Sequence, residues 1–133
     1  MPKMETYRGK TREELSQLSM DEVLPLLNSR SRRSVKRSLN KAGPVRKLLK
    51  EVAMLKAKNP TKVIRTHIRE AVIIPDWMGL TFAVHNGKEW KTVVITIDKI
   101  GYRLGDFSHS TSRVLHSGPG VGATRGSKFI PLK

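Results

Sequence analysis

Residues Gly79 to Ile97 read GLTFAVHNGKEWKTVVITI, and this stretch decides the fold. Two runs rich in β-branched and aromatic residues flank Asn86-Gly87, a pair suited to a two-residue type I′ turn because both central residues need positive φ. Such a turn predicts a register: His85 faces Lys88, Val84 faces Glu89, Ala83 faces Trp90, Phe82 faces Lys91, Thr81 faces Thr92 and Leu80 faces Val93. Side chains alternate across a sheet, so the pairing sorts them into two faces. Leu80, Phe82, Val84, Val93, Ile95 and Ile97 make the expected core side. Thr81, Ala83, His85, Lys88, Trp90, Thr92, Val94 and Thr96 make a more polar surface, suited to a partner.

Working outward, Thr61 to Arg69 alternates, with Ile64, Thr66 and Ile68 on one side and Arg65, His67 and Arg69 on the other. That pattern predicts a strand with a cationic face. Val72-Ile-Ile-Pro75 is an apolar segment closed by proline, and Asp76-Trp-Met-Gly79 turns into the hairpin. Upstream, Ala42-Gly43-Pro44 breaks the chain and places proline to start a helix. Val45, Leu48, Leu49, Val52 and Leu55 then keep helical spacing up to Lys56-Ala-Lys-Asn-Pro60. Downstream, Asp98 to Ile100 predicts one helical turn stopped by Gly101, and Tyr102 to Phe107 resumes an ordered path. The expected fold class is α+β: a small, mainly antiparallel sheet from Ile64–Arg69, Leu80–His85 and Trp90–Ile97, covered by the Pro44–Ala57 helix. The chain divides into a basic helical extension (1–43), an α+β core (44–115) and a glycine-rich basic tail (116–133).

Within the extension, Met1 to Lys10 has no periodicity and reads as a flexible lead-in. Thr11-Arg-Glu-Glu14 and Ser19-Met-Asp-Glu22 both match a capping box, in which the hydroxyl residue and the glutamate satisfy each other's backbone N–H groups. Two short helices follow, with Pro25 bending or ending the second. Asn28 to Lys41 (NSRSRRSVKRSLNK) carries Arg30, Arg32, Arg33, Lys36, Arg37 and Lys41 without an acid. Only Val35 and Leu39 are apolar there, so a helix would have a narrow packing stripe and broad basic flanks. A solvated charged face is the bland reading; six unrelieved positive charges repel one another, and interspersed serines add donors for phosphate oxygens.

The whole chain points the same way. Its 133 residues hold 26 Lys and Arg against 11 Asp and Glu, a net charge of +15, which implies a polyanionic partner, nucleic acid before an anionic membrane. No apolar run approaches a membrane span, and the basic stretch lacks the apolar stripe of a membrane-surface helix. Without cysteine there are no disulfides, thiolate zinc sites or cysteine nucleophiles, which fits a reducing cytosol. The carboxylates are scattered, and His67, His85, His109 and His116 lack metal-ligand spacing. Gly118-Pro-Gly120-Val-Gly122 suggests a phosphate loop, but no G-x-x-x-x-G-K-[ST] runs through it. No catalysis, metal or cofactor is expected.

One segment resembles a known family. Asn86-Gly87-Lys88, six residues, Ile95, four residues, Ile100-Gly101, two residues, then Leu104-Gly105-Asp106-Phe107 and Ser110 follow the pattern of small-subunit ribosomal protein S-nineteen. The closing run from His116 to Lys133, with Arg65-Thr-His-Ile-Arg69 and Gly79 to Glu89, is similar to the archaeal and eukaryotic branch. Bacterial members resemble the chain from about Arg37, so the residues before it look like the extension of that branch. Ser110-Thr-Ser-Arg113 is less basic than the branch usually is, and Pro25 interrupts a segment that looks helical in relatives.

The resemblance implies a cytoplasmic protein of the small-subunit head that binds small-subunit ribosomal RNA in translation. It implies ribosomal protein S-thirteen as neighbour, a nearby large-subunit contact, and a tail reaching toward the decoding region and aminoacyl-site transfer RNA. Candidate phosphate contacts are Arg30, Arg32, Arg33, Lys36 and Arg37 in the extension, Arg65, Arg69, Lys88 and Arg103 in the core, and Arg125 and Lys128 in the tail. The alternative is an independent basic architectural or ribosome-assembly protein. A metal-dependent nuclease using a carboxylate such as Asp98 or Asp106 stands third.

Overall fold

The computed structural model describes residues 5–115. Helices α1 (Arg12–Gln17), α2 (Met20–Leu26), α3 (Ser29–Asn40) and α4 (Pro44–Lys58) precede a sheet of β1 (Ile64–Thr66), β2 (Thr81–His85) and β3 (Trp90–Val94). The architecture is α+β, as expected.

The sheet is mixed and ordered β1-β2-β3. β2 and β3 form the expected antiparallel hairpin, whereas β1 runs parallel to β2 with Ile64 beside Phe82 and Thr66 beside Val84. β1 is also shorter than Ile64–Arg69. The Thr66 hydroxyl accepts the Ile68 N–H at 3.0 Å, a local side-chain bond that takes the chain out of the ladder. Residues 67–80 then form the crossover that a parallel pair requires.

The hairpin register differs from the expected one by two positions: His85 faces Trp90, Ala83 faces Thr92 and Phe82 faces Val93. Asn86 does not take positive φ; only Gly87 does, at 104°. The Asn86 side-chain oxygen instead accepts the N–H groups of Lys88 at 2.9 Å and Glu89 at 2.8 Å, while Asn86 N–H donates to Glu89 O at 3.1 Å. The central pair is therefore Gly87-Lys88, not Asn86-Gly87. A slip of two keeps every side chain on its face. Leu80, Phe82, Val84, Val93, Ile95 and Ile97 are all buried, as the alternation requires.

Helix α4 lays Leu48 and Val52 on that core face, together with Trp77 and Leu104. Trp77 lies in a 3-10 turn (Pro75–Trp77) and packs on Phe82, their ring centroids 5.1 Å apart. Lys56 at the end of α4 donates to the Asp76 carboxylate at 2.6 Å and to its carbonyl at 2.9 Å, pinning the helix to this turn. A second ladder joins the crossover to the chain beyond the hairpin: Ile73 N–H donates to Tyr102 O, Gly101 N–H to Ile73 O and Leu104 N–H to Ala71 O.

The N-terminal helices rest on this second ladder. Leu15, Val23, Leu24, Leu27 and Val35 share one apolar cluster with Val72 and Ile100. Both capping glutamates hold as expected, Glu14 accepting Thr11 N–H and Glu22 accepting Ser19 N–H, each at 2.8 Å. The Ser19 backbone and hydroxyl bonds hold the Glu22 carboxyl below the usual carboxylate range. Pro25 does end α2, one residue later. The lead-in, however, is ordered from Tyr7: Tyr7 and Lys10 exchange both backbone bonds at 3.0 Å around Arg8 (φ 54°) and Gly9 (φ 79°). Two successive positive φ values make this the type I′ geometry expected at Asn86-Gly87. Tyr7 O–H donates to Leu26 O at 3.3 Å, so the turn packs on α2 rather than trailing free.

Candidate nucleic-acid interface

Helix α3 is started by Asn28, whose side chain accepts Ser31 N–H at 2.8 Å. Its packing stripe is narrow but is not the expected Val35–Leu39 pair: Ser31 and Val35 are buried, and Leu39 is exposed. Ser31 O–H donates to Gly101 O at 3.1 Å and fixes the helix's rotation over the core. That rotation turns Arg30, Arg33, Arg37 and Lys41, spaced three or four apart along one stripe, toward the start of α4. There they line a cleft of 390 Å³ with Arg46 and Arg103. Glu70 is the one acidic residue among its lining residues.

The floor of the cleft is Gly43-Pro44-Val45, the N-terminus of α4. This end has no acid in its first turn and no capping side chain. Its unpaired N–H groups and the positive end of the helix dipole add to the basic walls. Ser34 and Ser38 also line the cleft. Six cations, two hydroxyls and a helix N-terminus around one opening form an arrangement suited to phosphate groups.

The other sequence-predicted residues are spread more widely. Lys36 is exposed on α3, and Lys88 is exposed in the hairpin turn. Arg32 and Arg69 turn inward. Arg32 donates to the carbonyls of Leu24 at 3.0 Å, Pro25 at 3.3 Å and Leu27 at 3.1 Å, closing the open end of α2. Arg69 donates to His85 O at 2.8 Å, Gly105 O at 3.1 Å and Ser108 O, tying the crossover to the hairpin and to the chain beyond it. Arg125 and Lys128 lie outside the described residues.

Arg65 stands on the solvent face of the sheet in a setting the sequence did not disclose. Continuing the β1–β2 register places His67 beside His85, and the hairpin places Trp90 on the other side of His85. The three rings close into a triangular cluster, each pair of centroids 4.7 to 4.9 Å apart, with the indole set edge-on to both imidazoles. The Arg65 guanidinium lies 5.8 Å from the indole centroid. Lys41 and Arg46 of the cleft, and this aromatic cluster, are missing from the sequence-based site. A charge count flags the first two, whereas the cluster depends on a strand pairing that sequence spacing does not reveal.

Among the described residues no cluster of three His, Asp or Glu side chains is placed to hold a metal ion, and no helix is long and apolar enough to cross a membrane. Comparison with known proteins places the chain in one family. A family model described as ribosomal protein S19 matches residues 33–116. The chain is 44% identical over 128 residues to the small ribosomal subunit protein uS19 of Methanocella arvoryzae, covering 96% of this chain and 86% of that one. It is 41% identical over 133 residues to the protein of the same name from Cenarchaeum symbiosum, covering 100% of both. The chain belongs to the ribosomal protein S19 family, structural rather than enzymatic components of the ribosome.

Proposed function

We propose that this protein is a structural constituent of the small ribosomal subunit in the cytoplasm and binds small-subunit ribosomal RNA through the α3–α4 cleft. The observation that carries the reading is the convergence of Arg30, Arg33, Arg37 and Lys41 with Arg46 and Arg103 around one opening. Phosphate contacts position a protein on RNA without reading sequence. The helical extension (1–43) and the core (44–115) present the cleft jointly, since its walls come from α3 on one side and from Arg46 and Arg103 on the other.

The same reading places the protein in the subunit head beside ribosomal protein S-thirteen, near the large-subunit contact. The tail (116–133), outside the described residues, then approaches the decoding region and aminoacyl-site transfer RNA. These placements rest on the family resemblance.

The test is sedimentation of the tagged protein from a cell lysate, followed by a high-salt wash. Retention on small subunits, and its loss on replacing Arg33, Arg37 and Arg46 with alanine, is the expected result. Free protein that binds any duplex equally well would favour an independent basic architectural or assembly factor.

A further inference from the structure

The cluster of His67, His85 and Trp90 lies on the sheet face opposite the core, so it contributes nothing to the packing beneath α4. Trp90 is 37% exposed, whereas the other tryptophan, Trp77, is 1% exposed. We infer that this cluster, with Arg65 beside the indole, is a stacking site for an unpaired base of RNA. The inference rests on the RNA-binding reading above and specifies what the RNA presents at this second surface.

The site is held in advance of any ligand. The backbone of His85 is fixed by Arg69, whose guanidinium donates to His85 O at 2.8 Å. Its ring is fixed by Gly87 N–H, which donates to Nδ1 at 3.0 Å. Nδ1 is thus the acceptor, which leaves the ring's proton on Nε2. Ala83 and Thr92, the next pair along the sheet, are small, so Arg65 can lie across them toward the indole. Ordering costs at binding fall when the partners are already in place.

Charge selects the occupant. Arg65 flanks the cluster, Lys88 is exposed in the adjoining hairpin turn, and the neighbouring Glu89 is engaged by Lys91 at 3.0 Å. A base stacked on an aromatic ring or an arginine plane brings its own phosphates, which the flanking cations can meet. Duplex RNA hides its base faces, so the ligand must be a loop, bulge or single strand.

The experiment compares two probes with the full chain: an RNA hairpin with a loop of adenines, and a loopless RNA duplex with the same number of phosphates. The hairpin is expected to bind more tightly and to quench the exposed tryptophan. Trp90→Ala should lower affinity for the hairpin by roughly 5- to 150-fold, the range for losing one base–aromatic stack, and leave duplex affinity unchanged. Trp90→Phe should restore most of the loss, and His67→Ala gives an independent reading should Trp90→Ala fold poorly. Arg33→Ala should weaken both probes alike and reduce the salt slope by about one, with the hairpin preference intact. Equal binding of the two probes with unquenched tryptophan and neutral variants at Trp90 and His67 overturns the stacking site, leaves the RNA-binding reading standing and leaves this face to a protein neighbour. No binding of either probe by the wild-type chain removes both.

Discussion

Arginine does two different jobs in this molecule, and the geometry around each guanidinium separates them. Arg33 and Arg37 reach solvent on α3, where truncation costs little folding stability. Arg69 instead joins three carbonyls from two separate segments, the hairpin and the chain beyond it. Removing it leaves those acceptors short of partners in a half-buried setting, and a bond from a charged donor is worth more than a neutral one. Arg69→Ala is therefore expected to lower unfolding free energy by about 2–3 kcal/mol, and Arg33→Ala by no more than about 0.5 kcal/mol. Chemical denaturation of the two variants checks this. Equal small losses would show that Arg69 is dispensable to the fold.

At the scale of elements, the hairpin turn has one backbone requirement, met by Gly87 at φ 104°. A Cβ there would touch no neighbour within 4 Å, so any cost of substitution comes from the backbone and not from crowding. Gly87→Val forces a β-branched residue into a region that such residues resist. The expected result is a lowered melting temperature and poor incorporation into small subunits. A melting curve matching the wild type would mean that the turn relaxes without disturbing the register. Gly87→Asn, tolerant of positive φ, should fall between the two.

Over the whole molecule, the net charge of +15 sets the expectation for RNA binding. If about 6–10 phosphates are neutralised, affinity for an RNA fragment should fall by about 10³–10⁵ between about 50 and 200 mM salt. Filter binding across that range checks it, and a nearly flat response would remove the electrostatic account. The tail carries a separate expectation. Sequence beyond Asp106 has no acidic residue, and the stretch from His116 is rich in glycine, a composition poor in core-forming side chains. Deleting Pro119–Lys133 should leave the melting temperature unchanged and weaken aminoacyl-site transfer RNA binding by reconstituted subunits. A large drop in melting temperature would mean that the tail packs on the core, and unchanged transfer RNA binding would detach it from decoding.

Local rules carried much of this protein. Period-two alternation assigned Phe82, Val84, Val93 and Ile95 to the core because a strand's two faces are set by parity, which survived a slip of two in the register. The capping boxes at Thr11 and Ser19, the start of α4 at Pro44 and the basic stripe of α3 depend on neighbours within a few residues, so they were legible directly. Charge alone announced a polyanion. Tertiary structure decided what depends on distant partners. It chose Gly87-Lys88 as the turn centre, where the Asn86 side chain took the donors that a type I′ turn would have left to the backbone. It turned Arg32 inward to carbonyls at the open end of α2, and Arg69 to carbonyls of the hairpin and of the chain beyond it. It also brought His67 to His85 and Trp90, because the parallel pairing of β1 joins residues separated by an entire crossover.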